Sequence, residues 1–399
     1  MLHGFLAQNV PMPISPCPLC GTVEWQPLEN IHESRSVRTD GGVIAEPLSK
    51  FHCSGCGLAI RSGRSEDPSA LYGEAYQLYR NRPGAEQFDA ARYVAITGAL
   101  RAAWGDQAAP TRVLEVGCGD GSLLQILQTS WPHSDIVGME PSGSAVDFAL
   151  ASRRPVYQGM IGQSLPATIA AGAFDLIYAV HVIEHTPDPA IFLSEVSALL
   201  APRGRLIVTC PDGTVPHAEL IHPDHLFSMT PEHLAMFAHR GGQKLLLQAD
   251  CPAGTQAEHS QLMVCAPSGG DRLQQLPDRP RAEALYHDRQ AYLRLWKGLE
   301  AYLLNSVRAD QPLYCFGAGG WTGNIAGYCP NLWDRVAACA VDGGHGATVH
   351  GRDVLDYRAV AQEPRQFIAV VNPASQSRIA ARLIGDGHNV IPWPAELNA

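Results

Sequence analysis

Two pairs of cysteines, Cys17-Pro-Leu-Cys20 and Cys53-Ser-Gly-Cys56, are the residues whose type and spacing speak most directly of chemistry. Two intervening residues let both thiolates of a pair reach one ion from a single tight turn. A second such turn completes a tetrahedral site of four sulfurs, which suits zinc and, less often, iron. Gly21 and Gly57 follow the pairs directly and relieve the turns, because glycine tolerates backbone angles that other residues do not. Four protein ligands leave no open position for water, so the metal is expected to be structural. The competing reading is two unrelated redox or buried pairs. The remaining cysteines (Cys118, Cys210, Cys251, Cys265, Cys315, Cys329 and Cys339) stand singly, mostly among apolar neighbours, and should pack as small hydrophobes.

A second constellation is the run Val113-Leu-Glu115-Val-Gly117-Cys-Gly119-Asp-Gly121, a strand pattern followed by a glycine loop that opens a helix. Glycines let the backbone approach a ligand closely, while a helix N-terminus offers free N–H groups and the positive end of its dipole. Any doubly wound sheet can carry such a loop. Glu140 sharpens the reading: it ends the next strand, about twenty residues on, where a carboxylate can accept both hydroxyls of a ribose. An acid at Glu115, ahead of the first glycine, moves the choice away from dinucleotides.

These groups need a scaffold, and three regions supply it. Residues 1–85 are turn-rich and hold the cysteine pairs. Residues 86–270 alternate short β-branched runs with helical patterns, the signature of a parallel α/β sheet. Strands are expected at Arg112–Val116, Asp135–Glu140, Phe174–Ala179 and Arg205–Cys210, with helices at Ser122–Thr129, Ser142–Ala151 and Pro189–Leu200. A linker over Ala266–Arg281 leads to a helix with Tyr292, Leu295, Trp296, Leu299 and Leu303 on one face. A smaller α/β unit completes 271–399, with strands near Leu313–Phe316, Val336–Val341, Phe367–Val371 and Asn389–Ile391.

The bulk composition agrees with this division. A chain of 399 residues exceeds a single core. Its 46% apolar and 17% charged content describes globular material rather than disorder. A net charge of −10 without any Lys/Arg run argues against nucleic acid, whose phosphates call for a basic footprint. No apolar run is long enough to span a bilayer. Met1–Pro16 lacks a basic leader with an apolar block, so a cytoplasmic location is expected.

Taken with Phe174-Asp175-Leu-Ile-Tyr and the turn Leu199-Leu200-Ala-Pro202-Arg-Gly204, the glycine loop resembles the class I methyltransferases that use S-adenosylmethionine. The resemblance implies a doubly wound sheet and casts Glu115, Gly117, Gly119 and Glu140 as cofactor contacts. Met160 and Ile161 would then wall the adenine, although Gly159-Met160-Ile161-Gly162 lacks the acid the family often has there.

The order of cysteine pairs, methyltransferase core and second Rossmann-like unit resembles the sugar C-methyltransferases of deoxysugar biosynthesis, which act on nucleotide-linked 4-keto sugars. Three segments carry the likeness. Leu71-Tyr72-Gly73-Glu74-Ala75-Tyr76 looks like the tyrosine motif that closes over the cofactor. His181-Val-Ile-Glu184-His185 matches the segment after the fourth strand. Pro223-Asp224-His225-Leu-Phe227-Ser228 looks like the stretch bearing the family's base, with Asp224 in place of the usual glutamate. A C–H beside a ketone is acidic enough for a positioned base, and histidine titrates near neutrality. His225 is thus expected to be the base and Asp224 to fix its tautomer. Tyr76 would hydrogen-bond the enolate oxygen, and His181 is a further catalytic candidate.

Tyr314-Cys-Phe-Gly317-Ala-Gly319-Gly320, with Asp342 ending the next strand, resembles a dinucleotide loop. Trp321 crowds it and the third glycine is misplaced, so this unit is expected to help bind acceptor rather than NAD. Two alternatives stand beside a sugar C-methyltransferase. One is an O- or N-methyltransferase of another small metabolite, and the other a zinc-bearing RNA methyltransferase.

Overall fold

A computed structural model describes residues 15–62, 85–170, 173–251, 259–267, 275–344 and 346–397. Tyr76 and its motif at 71–76 lie outside the described residues.

The N-terminal part is a ribbon of short strands: β1 (Trp25–Pro27), β2 (Ser36–Val37), β3 (Val43–Ile44), β4 (Lys50–Cys53) and β5 (Ala59–Arg61). Among the described residues β1, β4 and β5 form an antiparallel sheet that takes its fourth strand from far along the chain. That strand is Phe227–Ser228, whose residues face Ile60 and Ala59. The sequence division at residue 85 therefore runs through a shared sheet.

In the central part, helix α1 (Ala85–Trp104) precedes β6 (Arg112–Val116), α2 (Ser122–Ser130), β7 (Asp135–Glu140), α3 (Gly143–Ala151), β8 (Val156–Gln158), β9 (Phe174–Val180), α4 (Pro189–Ser197) and β10 (Leu200–Pro211). The two-residue β11 (Phe227–Ser228), α5 (Pro231–Arg240), β12 (Gln243–Asp250) and β13 (Ser260–Pro267) follow. Among the described residues the sheet order is β12-β13-β10-β9-β6-β7-β8. Pairing is parallel from β10 to β8, and β13 runs antiparallel to both its neighbours. Helices cover both faces, which is why β6, β7 and β9 are buried almost throughout rather than at alternate positions. This is a doubly wound, Rossmann-like sheet with one antiparallel strand next to its edge.

The C-terminal part begins with α6 (Arg279–Leu304), whose N-terminus is capped by Asp278 accepting from the Arg281 N–H at 3.0 Å. Its buried stripe is Leu285, Arg289, Leu293, Trp296, Leu299 and Leu303, so Leu293 takes the place expected of Tyr292 and Leu295. The helix leads into β14 (Leu313–Phe316), α7 (Gly320–Tyr328), β15 (Val336–Val341), β16 (Thr348–Val349), β17 (Arg352–Asp356), β18 (Gln366–Ala369), α8 (Pro373–Gly385) and β19 (Asn389–Ile391). Strand order among the described residues is β16-β17-β15-β14-β18-β19, parallel except for the β16–β17 hairpin. All seven single cysteines are buried, as the sequence suggested. Among the described residues no helix is long and apolar enough to cross a membrane.

Candidate active site

The four paired cysteines converge. Sulfur–sulfur distances are 3.7 Å for Cys17–Cys56, 3.4 Å for Cys20–Cys53 and 3.6 Å for Cys53–Cys56. A tetrahedron with metal–sulfur bonds of about 2.3 Å has edges of about 3.8 Å, so the cluster is ion-sized and far too open for disulfides of about 2.05 Å. Each knuckle closes through a following glycine in the left-handed region (Gly21 φ 76°, Gly57 φ 82°), whose N–H reaches back to the Cys17 or Cys53 carbonyl. The thiols of Cys53 and Cys56 hold Cys17 down to about 4, while the same crowding pushes Cys56 up. Four thiolates at such range would need a cation between them.

The glycine loop joins β6 to α2 at the carboxyl ends of the parallel strands, beside the point where strand order reverses, the usual ligand position in such sheets. Gly117 has φ 70° and sits so close to Val182 that a Cβ would lie 2.5 Å from its methyl. Glycine is thus required there, and the glycine loop abuts the segment after β9. Glu140 ends β7 and accepts from the N–H of Gly119 at 2.9 Å and of Ser142 at 3.0 Å, so it also shapes the loop. Glu115 is buried one layer below. It faces Tyr178 across β6–β9 and accepts its hydroxyl at 2.9 Å, and burial raises its carboxyl well above the usual range. Met160 and Ile161 are half-buried in the turn after β8.

The histidine constellation lies next to this loop. His181 follows β9 with φ 55°, a left-handed conformation uncommon outside glycine, and its Nδ1 lies 3.1 Å from Glu184. Two residues of the same short turn, Glu184 and His185, approach His225, whose ring centroid is 4.8 Å from that of His185 and 5.8 Å from that of His222. His225 is 6% exposed. Its Nδ1 lies 3.1 Å from the Glu219 carbonyl, which can only accept. The proton therefore sits on Nδ1 and the lone pair on Nε2, the tautomer a base needs. Burial, with His185, His222 and Lys50 nearby, holds the imidazole well below its usual value and hence neutral.

One expected pairing is corrected. The Asp224 carboxylate does not set the His225 tautomer; it accepts from the backbone N–H of Thr39 at 3.0 Å and from the Thr39 hydroxyl. The carboxylate nearest His225 is Glu219, 3.9 Å from Nδ1, with its other oxygen accepting from Ser228 at 2.5 Å. Glu219 and Lys50 escaped the sequence reading. Lys50 is fully buried, lowered to about 8 by that burial, and donates to the same Glu219 carbonyl at 3.2 Å.

The N-terminal ribbon grips the His225 segment at several points. Val37 supplies the carbonyl partner of His222 Nδ1 at 2.9 Å, Thr39 holds Asp224, Lys50 holds Glu219, and the Arg61 N–H reaches Leu226 at 3.0 Å. The rest of the molecule clamps the knuckles in turn. Arg289 of α6 donates to the Gly57 carbonyl at 2.5 Å, and His233 of α5 pairs with the Cys56 carbonyl at 2.8 Å. From α7, the Tyr328 hydroxyl donates to Ile221 at 2.5 Å. In the C-terminal sheet, Asp342 is taken by Arg382 in a two-pronged ion pair, both contacts 2.7 Å.

Residues 88–251 match the family model described as a methyltransferase domain. Trans-aconitate 2-methyltransferase of Methylobacterium radiotolerans is 33% identical over 104 residues, 26% of this chain and 39% of that protein. A ubiquinone biosynthesis O-methyltransferase of Colwellia psychrerythraea is 27% identical over 146 residues, 31% of this chain and 59% of that one. Both matches span less than two thirds of the relative's own length. Among solved structures, a SAM dependent methyltransferase from Aquifex aeolicus aligns with 50% of this chain and 97% of its own, at TM-score 0.36 and 13% identity.

Proposed function

We propose that this chain, which carries a methyltransferase domain over residues 88–251, is an S-adenosylmethionine-dependent C-methyltransferase of a nucleotide-linked 4-keto sugar or a close relative of one. The observation that carries this reading is His225: a buried neutral imidazole with its lone pair on Nε2, beside the segment that packs on the cofactor loop. Its Nε2 would take a proton from the carbon next to the ketone, and S-adenosylmethionine, when bound, would supply that carbon with an electrophilic methyl and leave as the neutral thioether S-adenosylhomocysteine. Ion and cofactor divide the remaining work. Zinc on Cys17, Cys20, Cys53 and Cys56 fixes the ribbon that holds the His225 segment. Gly117 and Gly119 line the methionine end of the cofactor, Glu140 takes the ribose, and Met160 with Ile161 walls the adenine. His181 and Tyr76 remain candidates for contacts to the acceptor.

Solvent exchange tests the base directly. In D2O, with a demethylated cofactor analogue present to close the site, the enzyme should exchange the C–H adjacent to the ketone. Absence of exchange in an enzyme that still methylates would remove the enolate step. It would favour a second reading, O-methylation of a small metabolite, which the names of the relatives support.

Glu140→Ala should weaken S-adenosylmethionine binding by about 1.5–3 kcal/mol, the usual loss for a charge-assisted acceptor. Calorimetry measures it, alongside a thermal melt because the carboxylate also braces the loop. Unchanged affinity with an unchanged melt would place the ribose elsewhere.

NAD and NADP should give no calorimetric or thermal-shift response with the whole enzyme. The carboxylate that would hold their ribose in the C-terminal sheet, Asp342, is committed to Arg382. A saturable micromolar response would reopen a redox role for that unit.

A further inference from the structure

We propose that Glu184, His185 and His225 form a second metal site, for a divalent transition ion of the zinc class, separate from the four-cysteine cluster. A nitrogen of each imidazole and a carboxylate oxygen of Glu184 lie within 4.8 Å of one another. Bonds of about 2.0–2.2 Å place ligands of one ion up to about 4.4 Å apart, so a small side-chain adjustment brings all three onto a common centre.

Three further features fit an ion. First, both rings already make the outer contact that metal-bound histidines need: Nδ1 of His185 meets the Asp224 carbonyl at 2.8 Å, and Nδ1 of His225 meets that of Glu219 at 3.1 Å. Carbonyls only accept, so both rings carry their lone pair on Nε2. Second, Glu184 is 1% exposed, and while its Oε1 faces His181, its Oε2 is buried with no hydrogen-bond partner among the described residues. An orphaned carboxylate oxygen in such a place is costly, and a cation satisfies it. Third, the Glu219 and Asp224 carboxylates stand close by and offset the positive charge of Lys50. Two imidazole nitrogens and one carboxylate suit zinc, cobalt, nickel or iron(II) rather than magnesium or calcium, and three protein ligands leave a position open.

The ion and the base exclude one another, because a bound ion occupies the Nε2 lone pair that proton abstraction requires. Methyl transfer therefore falls as the site fills.

The probe is cobalt(II), added to the full-length protein with its cysteine site already loaded with zinc. One equivalent per chain should bind saturably and give visible ligand-field absorption, without the near-ultraviolet thiolate-to-cobalt band that marks entry into the cysteine site. His185→Ala should abolish this absorption, and the isosteric Glu184→Gln should weaken binding by about tenfold or more. Thermal melts identify any variant that fails to fold, and Glu184→Gln then carries the test. No saturable band in the wild type, or a band that persists in Glu184→Gln and His185→Ala alike, overturns the site. No acceptor takes part in this readout, so its failure and that of the methyltransferase reading remain separable.

Discussion

His225→Ala is expected to lower kcat by about 10²–10⁴-fold, the usual contribution of a placed base, while S-adenosylmethionine still binds. The side chain is buried among His185, His222 and the Glu219 carbonyl, and none of the proposed cofactor contacts depends on it. Removing the ring deletes the only Nε2 in the constellation that the resemblance casts as base. Asp224→Asn should fall less far, since the carboxylate acts on Thr39 and the position of the loop rather than on the imidazole. Glu219→Gln should be the more damaging of the two carboxylate changes, because Glu219 lies against His225 and also receives Ser228. Initial rates with calorimetric cofactor titrations check all three. Near-normal turnover by His225→Ala removes the role; loss of turnover with undiminished proton exchange moves the base to His181 or Tyr76.

The second large effect concerns the cysteine cluster. Replacing Cys17 and Cys53 by Ser should remove one metal equivalent and collapse the fold around the His225 segment. Structural zinc sites carry about 10–16 kcal/mol of apparent binding free energy in small peptides, comparable with the whole stability of a typical domain of about 5–15 kcal/mol. Here the ribbon also supplies Val37, Thr39, Lys50 and Arg61 to the segment from Glu219 to Leu226, so its loss reaches the His225 constellation without touching the glycine loop. Metal analysis and a thermal melt read the outcome. A double variant with full metal content would contradict the four-sulfur site.

The strands flanking the glycine loop were legible because buried parallel strands are continuous runs of β-branched and apolar residues: Arg112–Val116 and Asp135–Glu140 form over the residues read from the sequence. β12 was not, since Leu246 and Leu247 are exposed on an edge strand and the run Gln243–Asp250 has no clean alternation. A two-residue strand such as Phe227–Ser228 leaves no periodic trace, so the sheet shared between ribbon and core appears only in three dimensions. The site divides in the same way. Local spacing revealed the cysteines and glycines, whose chemistry depends on one tight turn. The Asp224–His225 reading relied on adjacency, but neighbouring side chains on a turn diverge, and the carboxylate went to Thr39, remote in sequence. Lys50 and Glu219 meet His225 through tertiary contacts that no spacing encodes.

The most direct test is the position of the transferred methyl. The enzyme is incubated with S-adenosylmethionine labelled in its methyl carbon and a panel of nucleotide-linked 4-keto sugars, and the product is examined by NMR. The label should appear on the ring carbon adjacent to the ketone, bonded to carbon, with transfer abolished or strongly reduced in His225→Ala. A labelled methyl on oxygen or nitrogen, or no transfer to any keto sugar by an enzyme that methylates another small metabolite, would contradict the assignment.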